Sequence, residues 1–240
     1  MRFGYLILGA ASLAMASVSA NARADDWSGI YVGVLGSANS TKTDFALPGD
    51  AHDQLLDRSV SKTHAVGGAL LGYNYQFGNK VLGLEVDATS AAGTQSVTAC
   101  ALPDGCFTSA HDSFTTFNKV HTGATERYRV RFGFIAHETL FYGAVGYSHM
   151  IARMSLVGNC FNPATPSVPT VYNFNRSKSL SGLNLALGVE RSISKNFFLR
   201  GEYLYEDFGS ETWKGAAPEW NDRRISLRTN QLRLAIGMRF

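Results

Sequence analysis

Three sets of residues in this 240-residue chain have types and spacings that could do chemistry. The first is Ser148-His149, a nucleophile beside a base, which in a rim-located lipid-modifying enzyme would act as a deacylase pair. The second is His64, His121 and His149, three imidazoles that could hold haem or a metal. The third is Cys100, Cys106 and Cys160. Cys100 and Cys106 bracket Ala101-Leu102-Pro103-Asp104-Gly105, and Pro-Asp-Gly favours a tight turn. In an oxidising compartment a local Cys100–Cys106 disulfide is expected, with Cys160 left over and the other pairings open. No G-x-S-x-G or H-E-x-x-H occurs, and the cysteine spacing fits no zinc pattern.

Each site depends on the element that carries it. Adjacent residues of a strand point to opposite faces, so Ser148 and His149 on a regular strand cannot pair. The histidines are scattered, and solvated positions near loops account for them as well as a ligand site does. No enzyme, cofactor or metal is therefore expected.

Residues 1–24 read as an address. Met1-Arg2 gives a positive start, Tyr5 to Ala16 is a largely apolar run, and Ala22-Arg23-Ala24 is a small-residue cleavage site before Asp25. Val18-Ser19-Ala20 offers a second site. The run falls short of the about 20 apolar residues of a membrane-spanning helix. Cleavage after Ala24 removes 24 of the 240 residues and leaves 216, and it takes Arg2 and Arg23, so the formal charge falls from +3 to +1. The expected domains are a cleaved leader at 1–24 and one barrel at 25–240. Near-neutral charge without a basic block gives no reason to expect nucleic acid.

Beyond residue 26 the recurring period is two. Leu232, Leu234, Ile236, Met238 and Phe240 alternate with Arg233, Ala235, Gly237 and Arg239. Tyr128, Val130, Phe132 and Phe134 alternate with Arg127, Arg129, Arg131 and Gly133. The same split holds at 82–87, 183–190 and 197–203, less cleanly at 66–77 and 140–152, and without a clear face at 28–38. These are eight strands. Tight connections are expected near Gly78-Asn79, at Ala136-His137-Glu138 and at Ser194-Lys195-Asn196, and long polar ones over 39–63, 90–121, 154–178 and 210–227.

Short turns at one rim and long loops at the other are the pattern of an all-β, eight-stranded antiparallel up-and-down transmembrane β-barrel of the outer membrane. The rival is a soluble sandwich or lipocalin-like barrel with its apolar face inward. Against it stand the Gly- and Ala-rich polar face and the aromatic residues near strand ends. Trp27, Tyr75, Phe77, Phe134, Phe141 and Phe197 lie toward the short turns, and Tyr128, Tyr147, Tyr203 and Tyr205 toward the long loops. A charged fraction of 17% beside 45% hydrophobic residues suits a wall turned toward lipid.

Turning the apolar face outward sends charge into the lumen: Arg127, Arg129, Arg131, Arg200, Arg233 and Arg239 opposite Glu85, Asp87, Glu190, Glu202 and Glu206. Eight strands leave an interior just wide enough for side chains, so these charges are expected to plug the barrel as paired groups. A narrow pore for small solutes is the alternative.

Several ordered blocks resemble the small Gram-negative outer-membrane barrels of the porin-family, opacity-type surface antigens. They are Trp27-Ser28-Gly29-Ile30-Tyr31-Val32-Gly33, Gly72-Tyr73-Asn74-Tyr75-Gln76, Gly83-Leu84-Glu85-Val86-Asp87, the stretch from Leu199 to Gly209, and Leu234 to Phe240. The group is similar in architecture to the membrane domain of outer membrane protein A. The resemblance implies an eight-stranded barrel, recognition by the outer-membrane insertion machinery through the terminal aromatic Phe240, and surface exposure as an antigen. It also implies contact with outer-membrane lipids and loops that bind host, phage or neighbouring-cell ligands. No peptidoglycan-binding domain is seen, so cell-wall anchoring is not carried over. Some members are haem binders, and no dedicated haem motif is present here.

Overall fold

A computed structural model describes residues 26–46, 58–100, 113–161, 170–214 and 223–240. Every regular element in it is a strand: β1 (Gly29–Ala46), β2 (Arg58–Phe77), β3 (Lys80–Thr89), β4 (Gly93–Cys100), β5 (Ser113–Ala136), β6 (Thr139–Phe161), β7 (Thr170–Ser192), β8 (Phe197–Trp213) and β9 (Arg223–Arg239). All pairings are antiparallel, and β1 pairs with both β2 and β9, which closes the sheet on itself. The strands β3 and β4 both pair with β5. They are two lengths of one stave interrupted at 90–92, so nine segments make an eight-staved barrel. In the lower part, where β2 pairs with β3 over 68–77 and β7 with β8 over 183–192, closure leaves no unpaired edge, which a sheet in hydrocarbon requires.

The short connections are as tight as the turn residues require. Gly78 has φ 64°, and His137 and Glu138 have φ 47° and 58° in the two-residue link from β5 to β6. Two successive left-handed residues give the turn twist that a two-residue hairpin favours.

The lipid-facing wall follows the alternation. Val34, Leu84, Val130, Phe132, Leu185, Leu187, Leu232 and Leu234 all point outward and are exposed. The block at 28–38 resolves with Tyr31 and Leu35 inward and Ile30 and Val34 outward. Tyr75 and Phe77 stack 6.1 Å apart, and Phe134 and Phe141 stack 5.4 Å apart, near the short turns. Trp27 departs from the girdle expected of it. It is fully buried, and the Arg239 guanidinium lies 4.1 Å above its ring.

Strand occupies much of what the sequence suggests are long connections. The strand β5 has 24 residues, whereas about 9–11 suffice to cross a bilayer. Within the expected loop at 39–63, strand continues to Ala46 and resumes at Arg58, and strand likewise occupies parts of the other three. The reason is a change of solvent along the barrel. Above the apolar belt the outer wall turns polar, with Lys42, Arg153 and Arg228, while the inner face gains apolar side chains beside buried Thr41, Thr43 and Gln95. Phe45, Val120, Met150, Met154, Leu180, Phe208, Trp213 and Leu227 form a buried core there. The barrel is inside-out in lipid. Above that level no ladder joins β2 to β4, or the upper parts of β7 and β8, among the described residues. There β2-β1-β9-β8 and β4-β5-β6-β7 continue as two sheets around the upper core. Near this level β5 carries a register shift between Thr122 and Thr125, and β8 one between Asp207 and Ser210. An extra residue exchanges the inward and outward positions of all that follow.

Candidate functional site in the barrel interior

Inward positions on β3, β5, β7, β8 and β9 bring charge to the middle of the lumen. Glu85, Asp87, Arg127, Arg129, Arg131, Glu190, Arg200, Glu202, Glu206 and Arg233 are each exposed by 6% or less. Burial at this depth is tolerated only when charges are paired and hydrogen-bonded. The five carboxylates and five guanidiniums form one connected set. Glu85 takes Arg129, Arg131 and Arg200, the last at 2.6 Å. Asp87 takes Arg127 at 3.0 Å, Arg129 at 3.0 Å and Arg233 at 2.8 Å. Glu190 takes Arg131 at 3.0 Å and Arg200 at 2.7 Å. Glu202 takes Arg129 at 2.8 Å and Arg233 at 2.9 Å. Glu206 accepts two bonds from Arg127, at 2.7 Å and 3.0 Å. Such bidentate contact is what a planar guanidinium is suited to make.

Neutral groups complete the set. Tyr31 donates its hydroxyl to Glu85 at 2.7 Å, and Tyr142 donates to Glu202 at 2.6 Å. Ser148 donates to Glu206 at 2.6 Å and accepts from Asn184 at 2.8 Å. Gln231 also donates to Glu206. The guanidinium of Arg131 stacks 4.0 Å over the Tyr142 ring. Room for the two tyrosines comes from opposing glycines. A Cβ on Gly72 would overlap the ring of Tyr31, and one on Gly188 would overlap the ring of Tyr142.

Arg239 stands apart from the other predicted members. It is buried at the short-turn rim, bonded to Ser192 and to the Asp26 carbonyl at 3.5 Å, and makes no ion pair with the five carboxylates. Its guanidinium serves Trp27 instead, because β9 ends at the short-turn rim, away from the charged layer. Sequence reasoning missed Tyr31, Tyr142, Asn184 and Gln231. The only signal for the tyrosines was their phase with Leu35 and Ala144, masked by equally apolar residues on the outer face.

The remaining candidates are not brought together. Ser148 faces the lumen, while His149 faces outward with its ring 3.3–3.4 Å from the Ser179 hydroxyl and 3.4 Å from that of Ser181. His121 lies beside Thr94 at 3.0 Å on the outer wall. Among the described residues no group of three or more His, Cys, Asp or Glu is placed to hold a metal. Cys106 and the leader at 1–24, with Ala24, lie outside the described residues. Cys100 faces Thr115 and Cys160 faces Phe114, so β5 runs between their backbones. Two strand spacings, about 9–10 Å, exceed the about 7 Å Cα separation a disulfide spans. Phe240 bonds its amide to the Ile30 carbonyl at 2.9 Å and is partly exposed at the short-turn rim.

Among known proteins, the chain is 27% identical over 222 residues to the 31 kDa outer-membrane immunogenic protein of Brucella melitensis, covering 89% of this chain and 84% of that protein. The Brucella suis protein of the same description matches equally. Among solved structures, the outer membrane protein OprG from Pseudomonas aeruginosa aligns at TM-score 0.49 with 12% identity, over 89% of this chain and 96% of that one. Neisserial surface protein A aligns at TM-score 0.41 with 11% identity, over 89% and 98%. Residues 8–240 match the outer membrane protein beta-barrel domain. A closed barrel with an apolar outer belt and charge within, matched over nearly its whole length, belongs to the outer membrane protein beta-barrel family and resides in the bacterial outer membrane.

Proposed function

We propose that this protein is a non-conducting, non-catalytic barrel that stabilises the envelope and displays its upper strands and their connections to ligands of host, phage or neighbouring cells. The observation that carries this reading is the ion-pair set across the lumen. Glu85 on β3 meets Arg200 on β8, four staves away in a ring of eight, which is the full diameter. Eight-stranded barrels leave space only for side chains, and here the side chains bridge the space. The upper apolar core supports the display reading, because it holds the strands together beyond the apolar belt. The similar Brucella proteins are described as immunogenic.

In the same reading the leader is removed after Ala24, the insertion machinery recognises Phe240, and Cys100 bonds to Cys106. Planar-bilayer recording of the purified protein is the test of the plug: a flat baseline is expected, and stable single-channel steps would establish the narrow pore instead. Surface labelling of intact cells tests display.

A further inference from the structure

We infer that Lys62 and Lys178 are wedges that hold the upper barrel apart along two opposite seams, making it a pair of four-stranded jaws on the closed lower barrel. One seam lies between β2 and β4. The β2–β3 ladder below it ends at Gly68 opposite Thr89, with one further bond from the Ser90 amide to the Gly67 carbonyl at 2.8 Å. The other seam lies between β7 and β8, whose ladder ends at Leu183 opposite Asp207. The seams divide the eight staves into β2-β1-β9-β8 and β4-β5-β6-β7, so they are diametrically opposed.

The same side-chain device stands at both seams. Lys62 is opposite buried Thr41 and Lys178 opposite buried Ala152, and residues directly opposite in a ladder share a face. Each lysine therefore starts from an inward position, next in phase to Val60 and Leu180 of the upper core. Each ammonium leaves by the gap. Lys62 Nζ donates to the Thr94 carbonyl of β4 at 3.2 Å, and Lys178 Nζ donates to the Thr212 carbonyl of β8 at 3.3 Å. Glu211, opposite buried Ile225, is a second inward charge at the β7–β8 seam and pairs with Lys178 at 2.5 Å.

Charge explains why the ladders stop. Completing them would enclose the two ammonium groups beside the upper core, and a cation cut off from water is costly to bury. A lysine at the margin of such a core lays its stem along it and keeps its head in water. The strands stay aligned for pairing all the same. Continuing the β7–β8 register five residues upward from Leu183 and Asp207 brings Lys178 opposite Thr212, the residue it bonds. Side-chain bridges in place of a ladder make each seam a weak line in the wall, and such lines are where folded proteins open locally. The rival cause is an interrupted edge strand at the foot of each seam, at 90–92 and at Gly209 with φ 67°. The inference concerns the upper wall and is independent of the plug and display readings.

Hydrogen–deuterium exchange of the full barrel in detergent micelles, resolved by peptide mass spectrometry, is the test. Lys62→Met and Lys178→Met/Glu211→Met remove the inward charges. Each is expected to let its own ladder extend and to slow exchange at its own seam at least about tenfold, leaving the opposite seam as it was. Lys62→Arg and Lys178→Arg keep the charge and are expected to change neither seam. The same holds for Lys42→Met, because Lys42 pairs with Asp44 of its own strand and crosses no seam. Unchanged exchange in the methionine variants assigns the seams to the interruptions at 90–92 and Gly209 and overturns the wedges. Faster exchange makes the lysines ties, which overturns them equally. Should a methionine variant not fold, the unchanged chain decides: seam edges exchanging as slowly as β1 and β9 at the same height leave no seam to wedge.

Discussion

Glu85 Oε2 and Arg200 Nη1 meet at 2.6 Å across the full width of the barrel, and the same oxygen also takes Tyr31 at 2.7 Å and Arg131 at 3.2 Å. One carboxylate thus ties the β1, β5 and β8 sides of the wall to β3. A cross-brace of this kind spans the lumen and ties opposite sides of the wall together.

Removing the carboxylate charge is therefore expected to be costly. Glu85→Gln leaves Arg129, Arg131 and Arg200 with a reduced share of anions and should destabilise by about 3–5 kcal/mol. Urea unfolding in detergent, followed by heat-modifiable gel mobility, measures it. A loss under about 1 kcal/mol would mean that the set contributes little to stability.

Removing both ends of the brace separates charge from space. Glu85→Ala/Arg200→Ala keeps the interior neutral while deleting the side chains that meet across the diameter. The double variant is expected to show small conductance steps in planar bilayers where the unchanged chain shows none. Silence from both would assign closure to the remaining pairs, such as Asp87 with Arg233.

The glycine pockets predict a coupled pair. Gly188→Ala places a methyl within the Tyr142 ring, and overpacking of this sort costs about 1–3 kcal/mol. Combined with Tyr142→Leu, the penalty should be less than the sum of the two single losses. Strict additivity in that double-mutant cycle would remove the steric explanation.

Leu180→Ala opens a cavity in the upper apolar core and is expected to cost about 2–5 kcal/mol. Because the site lies above the lipid belt, the damage should be local. Limited proteolysis is expected to cut the upper strands sooner while the lipid-embedded core stays protected. Unchanged cleavage rates would mean that the upper barrel does not depend on this core.

The lower barrel was legible because hydrocarbon imposes one rule on every stave: apolar outward, charge or glycine inward, period two. That rule alone placed Glu85, Arg129, Glu202 and Arg233 in the lumen. It failed above Tyr128 and Tyr203, where the outer wall meets water and the inserted residues at 122–125 and 207–210 exchange inside for outside. Read as loops, those stretches are hairpin extensions with their own core.

The amino-acid sequence by itself determined the class, since only a closed barrel gives an alternating apolar face a lipid environment without unpaired backbone. It also determined which charges turn inward. Tertiary structure decided which of them meet. Pairing across the lumen depends on strand stagger and side-chain reach, so Arg200 joins Glu85 although 115 residues separate them, and Arg239 is left with Trp27. The fold likewise set His121 opposite Arg153, which face each other only when β5 and β6 take their register.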